Sequence, residues 1–398
     1  MTGSVLIHVQ HLLGIGHFQR ARRIAEALAR RGIAVTLVSG GAPVPGVPPK
    51  GGLPFVQLPP IRALDAGFAL VDSAGAPVDE ALRTRRRALL LDAFALARPN
   101  VVVIEGFPFA RRAFRFELDP LIAAARQAGA RLVCSVRDVI QPRDDPARLG
   151  EIVARIRADF DAVMVHGDPT LIPFEASFPA APEIGDRLRY TGYVADEPGH
   201  TDPADTTDGG EVLVSAGGGP AGYALLQSAI AARRLGCLAE MPWRLLAGAG
   251  LPEAEFAALA DSAPPGVTVE RFRPDFPTLL GRCRISVSQA GYNTVLDVLA
   301  ARRPAVLVPY AAGGEREQPI RAERVAALGA AELLRESDLS PEQLAAAIKR
   351  AAAHPPAALN IDMSGAVTSA RLIGTMVDAN TTAARGSAAT RADGMIAR

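Results

Sequence analysis

A glycine-rich turn at 212–222, VLVSAGGGPAG, is the strongest chemical feature of the sequence. A strand of apolar residues runs into Gly217, Gly218 and Gly219, and Pro220 then stands at the position that proline prefers at a helix start. Glycines let the backbone approach a ligand closely, and the N–H groups at a helix start attract anions. The pattern predicts phosphate binding, and a plain tight turn is the alternative.

The same turn contains the spacing G-x-G-x-x-G of the dinucleotide fingerprint, at Gly217, Gly219 and Gly222. That fingerprint requires an acidic residue at the end of the next strand, where the acid holds a ribose. The next strand, WRLLAGAG (243–250), ends in alanine and glycine instead. NAD is therefore disfavoured as a ligand.

A second turn of this kind lies in the string SVSQAGYNTVLDVLAARRP. Its strand ends in a turn that contains Gln289 and Gly291, and Asn293 or Thr294 is expected to cap the helix that follows. Asp297 is expected in the first turn of that helix, where its carboxylate would stabilise the dipole or reach a ribose diol. Two anion-binding helix starts in one domain favour a diphosphate over a single phosphate.

A third polar turn follows the strand VLVPY. Glu315, Glu317 and Gln318 come after a glycine loop, at the start of the next helix. Carboxylates grouped with an amide suit the recognition of sugar hydroxyls, which need paired donors and acceptors. A solvated helix start with glutamates near its positive end is the alternative.

In the first half, the loop GIGHFQRARRIAEAL (14–28) places Gly14, Gly16 and His17 just before a helix. It lacks the third glycine of a dinucleotide fingerprint, because Gln19 stands there. A helix start favours a neutral imidazole, which can accept a proton. His17 is therefore a candidate general base, and a purely structural histidine is the alternative.

Charged or imidazole side chains also follow three further strands of the first half. They are Glu105 after VVVI, Arg137 and Asp138 after LVCSV, and His166 and Asp168 after AVMV. Because the carboxyl ends of parallel strands share one edge of a sheet, these side chains predict a polar cleft wall on the acceptor side. Glu105 and Asp168 are alternative candidates for the base.

Two parallel sheets are needed to position these turns. Short β-branched runs alternate with amphipathic helical stretches along the chain, which is typical of an α/β fold built from βαβ units. Strands are predicted at 4–10, 34–39, 54–58, 100–105, 131–136, 161–166, 212–216, 243–248, 267–272, 284–288 and 304–309. Helices are predicted at 17–31, 79–98, 117–128, 146–158, 170–177, 220–235, 253–262, 275–281, 292–302, 318–328 and 340–353.

A polar segment, ADEPGHTDPADTTDGGE (195–211), interrupts this alternation and is interpreted as a linker between two Rossmann-like domains that face a cleft. The first domain is predicted at 1–194 and the second at 212–355. A C-terminal helix is predicted within 356–380, and a disordered tail over 381–398.

Length and charge narrow the class of protein. A chain of 398 residues exceeds what one hydrophobic core usually serves, which favours two domains. A formal net charge of +1 gives no electrostatic support for nucleic acid as a partner. The string D-x-D at 159–161 precedes its strand rather than ending one, so no metal site is predicted.

The cysteines and apolar runs bear on location. The three cysteines are far apart and lack disulfide or zinc spacing, which favours reduced thiols in a reducing compartment. The sequence shows no secretory signal pattern, so a cytoplasmic location is expected. The string LRTRRRALLLDAFALARP (82–99) is interpreted as a core-packed helix with a basic solvent face. Peripheral contact with the inner face of a membrane is the alternative use of that face.

With these residues in view, the chain resembles the family-28 type of GT-B glycosyltransferases, which includes enzymes that transfer N-acetylglucosamine from UDP. The resemblance covers nearly 350 residues and is greatest over 271–334, which reads like the nucleotide-sugar module of that family. A group of bacterial proteins known as predicted glycosyltransferases is more similar still. The strings shared with that group are GxGHxxR, FPFARRAFRFELDPL (107–121), SVRD (135–138) and VHGDP (165–169).

The resemblance implies roles for the residues of the second half. In such enzymes the loop matched by Gly217 to Gly219 contacts the diphosphate. A helix acid, matched by Asp297, holds the ribose. That acid is usually Glu in the family member that acts on the lipid-linked peptidoglycan precursor, and Asp297 is shorter by one methylene.

The resemblance also implies how the sugar and the base are bound. Glu317 and Gln318 stand where the family has paired glutamines for the donor sugar, and this departure indicates a different sugar. Arg271 and Phe272, in the loop ahead of the next helix, would flank the base.

The sequence as a whole therefore predicts a glycosyltransferase of GT-B architecture. It would move a sugar from a nucleotide-diphosphate donor, with a UDP-sugar favoured, to the hydroxyl of an unknown acceptor, lipid-linked or a glycan. Inversion without a metal is expected, and no cofactor is needed because the nucleotide-sugar is a substrate. The alternatives are a nucleotide-sugar hydrolase or epimerase of the same fold, or a protein that binds a nucleotide-sugar without turnover.

Overall fold

A computed structural model describes residues 3–12, 15–44, 52–63, 69–141, 145–195, 210–217, 221–248 and 250–396, with side chains as far as residue 380. The chain divides into two compact units. The first unit comprises 1–194 and 362–398, and the second comprises 195–361. The predicted linker at 195–211 lies almost wholly outside the described residues.

The first unit is an α/β domain. Its strands are β1 (Ser4–Val9), β2 (Ala34–Ser39), β3 (Phe55–Gln57), β4 (Arg62–Ala63), β5 (Leu70–Val71), β6 (Val101–Glu105), β7 (Arg131–Arg137), β8 (Ala162–His166) and β9 (Leu188–Tyr190). Its first four helices are α1 (Gly16–Arg30), α2 (Glu80–Ala97), α3 (Arg115–Gln127) and α4 (Pro146–Asp159). A helix predicted at 170–177 is instead a single 3₁₀ turn, Phe174–Ala176.

The second unit is a second α/β domain. Its strands are β10 (Val212–Ser215), β11 (Trp243–Leu246), β12 (Val267–Glu270), β13 (Ile285–Ser288), β14 (Ala305–Leu307) and β15 (Glu332–Leu333). Its helices are α5 (Tyr223–Arg234), α6 (Glu253–Ser262), α7 (Phe276–Arg282), α8 (Tyr292–Ala301), α9 (Glu317–Ala327) and α10 (Pro341–Ala353). The last helix of the chain, α11 (Gly365–Ile396), returns to the first unit.

Both large sheets are parallel and share one strand order. The first runs β3-β2-β1-β6-β7-β8-β9 and the second runs β12-β11-β10-β13-β14-β15. In each, the first strand of the unit lies in the middle and the order reverses beside it, as in a Rossmann-like sheet. The reversal leaves a crevice at the carboxyl ends of the two central strands, which is where such sheets bind ligands.

Side chains of the first sheet alternate between two cores. Val5, Ile7 and Val9 of β1 pack with Ile24 of α1 on one face. Leu6 faces the other side, in the core that contains residues of α2 and α3. Two-sided burial explains why the central strands read as unbroken apolar runs.

Helix α11 covers the face of the first sheet that α1 also covers. Ala370, Ile373 and Val377 are buried there with Val5 and Ile24. The helix continues to Ile396, through the segment for which the sequence predicts a disordered tail. Much of that segment is alanine, which favours a helix without burying a side chain. Among the helices that the structure describes, none is both long and apolar enough to cross a membrane.

The structure of α2 contradicts one part of the prediction that the basic run at 83–87 faces solvent. Arg83 and Arg85 are exposed as predicted, but Arg86 is fully buried. It forms a bidentate ion pair with Glu117 of α3, at 2.8 and 2.7 Å, and Glu117 is fully buried too. Arg86 also donates to the Gly40 carbonyl and to Gln10 Oε1 at 2.8 and 2.9 Å. One guanidinium thus links α2, α3 and the chain after β1 and β2.

We predict that Arg86→Met destabilises the first unit by about 3–5 kcal/mol, because it leaves the Glu117 carboxylate buried without its counter-charge. Glu117→Leu should cost a similar amount. The double variant should cost less than the sum of the two, because no lone charge remains buried. The measurement is urea-induced unfolding.

The matched control is Arg85→Met, a change at an exposed neighbour that should alter the free energy of unfolding by no more than about 0.5 kcal/mol. Equal costs for Arg86→Met and Arg85→Met would contradict the importance of the buried pair.

Candidate functional site

The polar residues of the first unit meet at the carboxyl edge of its sheet, where the strand order reverses between β1 and β6. Helix α1, which follows β1, packs on one face of the sheet, and α3, which follows β6, packs on the other. The chain therefore diverges above these two strands. The first turn of α1, which contains His17, and the strand end that carries Glu105 both lie at this point.

His17 and Glu105 form a hydrogen-bonded pair. His17 is in the first turn of α1, and its Nδ1 lies 2.9 Å from Oε1 of Glu105, the last residue of β6. Glu105 is buried, whereas 20% of the His17 side chain is exposed. The imidazole is thus anchored by a buried carboxylate and remains partly accessible.

Two arginines complete this group. Arg20, one turn further along α1, is buried and donates to the same Oε1 of Glu105. Its guanidinium supplies the counter-charge that a buried carboxylate needs. Arg137, at the end of β7, lies 3.2 Å from Nε2 of His17.

Both members of the pair have shifted pKa values. Burial lowers the pKa of His17 to about 3, and the hydrogen bond to Glu105 opposes that shift. The charges of Arg111, Arg137 and Arg20 lower it further. Burial alone would raise the pKa of Glu105, but Arg20 and the hydrogen bond to His17 hold it well below its usual range. At neutral pH the pair is therefore a carboxylate and a neutral imidazole.

The contacts determine which ring nitrogen carries the proton. A neutral imidazole has one donor and one acceptor nitrogen. Nδ1 of His17 lies closer to the ionised carboxylate, at 2.9 Å, than to the Arg20 guanidinium, at 3.2 Å, so Nδ1 carries the hydrogen and donates to Glu105. Nε2 is then the acceptor, and Arg137 donates to it. This is the tautomer that a general base needs when a carboxylate orients it.

The other carboxylate oxygen of Glu105 is also bound. Ser135, on β7, donates to Oε2 of Glu105. His166, the last residue of β8, has its Nε2 2.8 Å from Oγ of Ser135. The predicted cleft residues Glu105, Arg137 and His166 are therefore brought together around His17, with Ser135 as a link that the sequence analysis did not identify.

Asp168 and Asp138, in contrast, have structural partners. Oδ1 of Asp168 accepts from the backbone and hydroxyl of Thr170 at 2.9 and 2.7 Å, and Oδ2 accepts from the backbone N–H of Asp362 at 3.1 Å. Burial would raise the pKa of Asp168, but these bonds lower it. Asp138 is fully buried and accepts from the Tyr193 hydroxyl at 3.2 Å. Asp168 is thus engaged in joining the segment ahead of α11 to the sheet.

The second unit repeats the reversal of strand order, between β10 and β13. Gly217, just after β10, has φ of +70°, a conformation that favours glycine. Helix α5 begins at Tyr223, later than the start predicted at Pro220, and Gly222 is its N-cap. A Cβ on Gly222 would collide with that of Ala216, so this glycine allows the helix to approach β10.

The start of α8 differs from its prediction in two ways. The N-cap is Gly291 rather than Asn293 or Thr294, and no side chain caps the helix. Asp297 is the sixth residue of α8, beyond the first turn. The first bond within the helix joins the Val295 N–H to the Gly291 carbonyl at 3.0 Å, so the N–H groups of Asn293 and Thr294 are not used inside the helix. An uncapped helix start of this kind suits an anion.

Gln289 and Gln318 hold the turns of this edge together. Gln289 donates its side-chain amide to the Ala221 carbonyl, which joins the turn after β13 to the turn after β10. Oε1 of Gln318 accepts from the N–H groups of Ala290 and Tyr310 at 3.0 and 3.1 Å. Both amides therefore order the backbone that surrounds the predicted donor site.

The predicted sugar and base residues lie at the same edge. Glu317 is buried at the first position of α9, next to Gln318. Arg271, just after β12, pairs with Glu253 at 2.6 Å and stacks over the ring of Phe256. Phe272 beside it is 71% exposed, and such a ring is a suitable stacking surface for a base.

Three of the predicted site residues, Gly14, Gly218 and Gly219, lie outside the described residues. Gly16 is the first residue of α1.

Arg20 and Ser135 belong to the site but were missed as functional residues. Arg20 stands three residues after His17 and ends the string GxGHxxR, so its spacing on the helix was a usable signal. Ser135 lies on β7 beside Glu105 of β6, and only the pairing of the strands reveals that position. Asp159 and Asp161, the D-x-D string, pair with Arg126 and Arg131.

Comparison with known proteins addresses the second unit most directly. Residues 246–373 match the family described as the glycosyltransferase family 28 C-terminal domain. The UDP-N-acetylglucosamine--N-acetylmuramyl-(pentapeptide) pyrophosphoryl-undecaprenol N-acetylglucosamine transferase of Rhizobium johnstonii is 33% identical over 119 residues, which are 29% of this chain and 32% of that protein. The chain thus aligns with about a third of the length of this curated relative.

Solved structures are similar over nearly the whole chain. The calicheamicin glycosyltransferase CalG4 has a TM-score of 0.60 and 20% identity, with 98% of each chain covered. MurG of Acinetobacter baumannii has a TM-score of 0.58 and 18% identity, with 94% of this chain and 99% of that chain covered. These likenesses confirm the predicted fold class. Residues 246–373 are therefore similar to the glycosyltransferase family 28 C-terminal domain, and the chain has the GT-B fold.

Proposed function

We propose that this chain transfers a sugar from a nucleoside-diphosphate donor, with UDP favoured, to an acceptor hydroxyl. The observation that carries the proposal is the His17–Glu105 pair, a neutral imidazole with its Nδ1 proton on a buried carboxylate and one fifth of the side chain exposed. That arrangement is the one a general base requires. Its position, at the reversal of strand order, is where α/β sheets bind ligands.

The second unit supports the choice of donor. Its reversal point carries the Gly217 turn and the uncapped start of α8, two backbone features that suit a diphosphate. Gly291, Asp297, Glu317 and Gln318 all lie within the family-28 match. The name of the Rhizobium relative specifies a UDP-sugar donor, which makes UDP the first nucleotide to test.

In the proposed reaction, the acceptor hydroxyl first replaces the Arg137 guanidinium as the hydrogen-bond donor to Nε2 of His17. Nε2 then removes the proton of that hydroxyl. The acceptor oxygen then bonds to the anomeric carbon while the bond from that carbon to the diphosphate breaks. Direct displacement inverts the configuration at this carbon. Glu105 stabilises the imidazolium that forms, and the N–H groups at the start of α8 stabilise the departing diphosphate without a metal.

The acceptor is proposed to be lipid-linked. The Rhizobium relative is named for transfer to a pyrophosphoryl-undecaprenol acceptor. Helix α2 exposes Arg85, Leu89 and Leu96 at spacings of four and seven residues, which places them on one face, and this face would suit contact with an anionic membrane. Co-sedimentation with vesicles that contain anionic phospholipid should be weakened in Arg85→Glu. Equal sedimentation of both proteins would remove this support.

We predict that Gly291→Asp strongly reduces stabilisation by UDP without harming the fold. Gly291 has φ of −61° and ψ of 151°, which any residue can adopt, and an added Cβ would meet nothing nearer than Oγ1 of Thr294 at 3.8 Å. Aspartate is a preferred N-cap, so thermal stability should be kept or raised. Its charge should repel the diphosphate and weaken UDP binding at least tenfold, about 1.4 kcal/mol.

The measurement is thermal unfolding with UDP, dTDP, GDP, ADP or NAD. A nucleotide at about 100 times its dissociation constant should stabilise the wild-type protein by roughly 2.7 kcal/mol. Gly291→Ala, which adds a Cβ without a charge or a capping group, is the control and should retain most of that effect. No stabilisation by any nucleoside diphosphate, or by NAD alone, would contradict the donor site.

We predict that His17→Ala lowers kcat by about 10²–10⁴-fold, the usual contribution of a general base. Glu105→Gln should also lower kcat, because an amide can donate to Nδ1 and favour the wrong tautomer. Asp168→Asn is the control, since that carboxylate is engaged by Thr170 and the Asp362 backbone. It should lower stability and leave the base intact.

The pH dependence follows from the His17 pKa. A base acts in its deprotonated form, and a pKa lowered from 6.5 to about 3 keeps the imidazole deprotonated into acid. The acid limb of kcat/KM should therefore lie well below pH 6.5. A limb near pH 6.5 would contradict the buried, arginine-surrounded setting of the ring. Sugar release that does not require an acceptor, at the rate of transfer, would instead make the protein a nucleotide-sugar hydrolase.

A further inference from the structure

A continuous chain of buried hydrogen bonds runs from His17 across three neighbouring strands. It passes from Glu105 on β6 to Ser135 on β7 and then to His166 on β8. Nδ1 of His166 lies 2.8 Å from Oγ1 of Thr191, just beyond β9. Ser135, His166 and Thr191 are almost completely buried, so water does not replace these bonds.

The strand register places these groups side by side. Glu105 is the direct partner of Ser135 across β6 and β7. His166, at the end of β8, is the partner of Arg137, two residues beyond Ser135 on the same face of β7. The chain of bonds is therefore built into the sheet rather than into a loop.

The ionised carboxylate sets the direction of every bond in the chain. Glu105 can only accept, so the Ser135 hydroxyl must point its hydrogen at Oε2. The remaining lone pairs of that hydroxyl can only accept, so Nε2 of His166 must carry the ring proton. Nδ1 of His166 then carries no hydrogen, and the Thr191 hydroxyl, which also lies 2.9 Å from the Gly192 carbonyl, must turn its hydrogen to this nitrogen.

The opposite tautomer of His166 is unfavourable for a definite reason. With the proton on Nδ1, the unprotonated Nε2 would accept a hydrogen bond from the Ser135 hydroxyl, which has only one hydrogen to donate. Oε2 of Glu105 would then face an oxygen lone pair with no hydrogen between them. Burial lowers the pKa of His166 to about 3, with a further lowering from Arg20, so a doubly protonated ring does not resolve the conflict.

We propose that Ser135 and His166 are positioning residues. They hold the Glu105 carboxylate in the orientation that keeps the ring proton of His17 on Nδ1 and leaves Nε2 as the acceptor nitrogen. With Oε2 fixed by Ser135, Oε1 remains directed at His17 and Arg20. His166 acts one step further away, because it keeps the Ser135 hydroxyl pointed at the carboxylate. This role of His17 as a base rests on the proposed function, whereas the positions of the protons do not.

The charged groups around His17 come from several elements. Arg20 is on α1, Glu105 ends β6, Arg111 follows β6 and Arg137 ends β7. Of these, only Glu105 attracts a proton to the ring. Loss of the Ser135 hydroxyl leaves the Glu105 charge less neutralised, so the pKa of His17 should rise in Ser135→Ala.

The test is ¹⁵N NMR of the full-length protein with labelled histidine, which distinguishes the two tautomers and titrates each ring. There are six histidines, and His17→Ala and His166→Gln assign the two of interest. In the wild-type protein near neutral pH, His17 should be protonated on Nδ1 and His166 on Nε2. In Ser135→Ala the charge of Glu105 remains, so the His17 pKa should rise, but Oε2 is no longer held, so the misaligned carboxylate should favour the Nδ1–H tautomer less.

Two controls separate positioning from stability alone. Ser135→Thr keeps the hydroxyl and should restore the wild-type tautomer and pKa. Ser177→Ala removes another buried hydroxyl, which accepts from the Ile140 N–H at 3.1 Å and does not bond to Glu105. It should reduce stability and leave the His17 signals unchanged. Where transfer is measurable, kcat should fall about tenfold in Ser135→Ala with KM nearly unchanged.

Two results would overturn the proposal. One is a wild-type His166 that carries its proton on Nδ1. The other is a Ser135→Ala protein whose His17 tautomer and pKa match those of Ser177→Ala. If the wild-type tautomers are as expected and no sugar transfer is found with any donor, the positioning stands and the proposed function fails.

Discussion

The buried charge of Glu105 constrains the rest of the first unit's functional edge. A carboxylate removed from water is stable only when donors surround it. Here Arg20 and His17 bind one oxygen and Ser135 binds the other. Those bonds order α1 against the sheet, select the tautomer of His17 and lower its proton affinity through the arginines. The chemistry proposed for His17 follows from how this single charge is neutralised.

A second buried ion pair supports the same unit. Arg86 and Glu117 join α2 to α3, and Arg86 also binds the backbone after β2 and the side chain of Gln10 after β1. Buried pairs of this kind add little net stability compared with apolar packing, but they fix relative positions. The unit thus holds the segments after its first two strands with directional bonds. The segment after β1 leads into α1, whose first turn contains His17.

The second unit orders its functional edge by a different means. Its turns are joined by the side-chain amides of Gln289 and Gln318 and by the buried guanidinium of Arg321, which donates to the Ala290 carbonyl. No acidic side chain stands in the first turn of α8. An edge formed by backbone N–H groups, without a carboxylate at the helix start, suits a diphosphate. One unit therefore presents an imidazole held by a buried carboxylate, and the other presents an uncapped helix start, on sheets that reverse their strand order at the corresponding point.

By itself, the sequence determined most of the local structure. The period of its apolar residues predicted the long helices and the central strands, because burial on one face of a helix or both faces of a strand leaves a local pattern. It also identified the glycine turns, His17 and Glu105, since residues that follow strands lie at one edge of a parallel sheet.

Only the tertiary structure decided which of these residues meet. His17 and Glu105 are 88 positions apart, so no local pattern shows that they form a pair. Asp168 and Asp362 are 194 positions apart, so no local pattern shows that the Asp362 N–H binds the Asp168 carboxylate, which was a candidate base. The burial of Arg86 and the return of α11 were hidden for the same reason. Strand order and long crossovers bring such partners together. A charged residue in the sequence carries no local sign of whether its side chain faces water or pairs with a residue far along the chain.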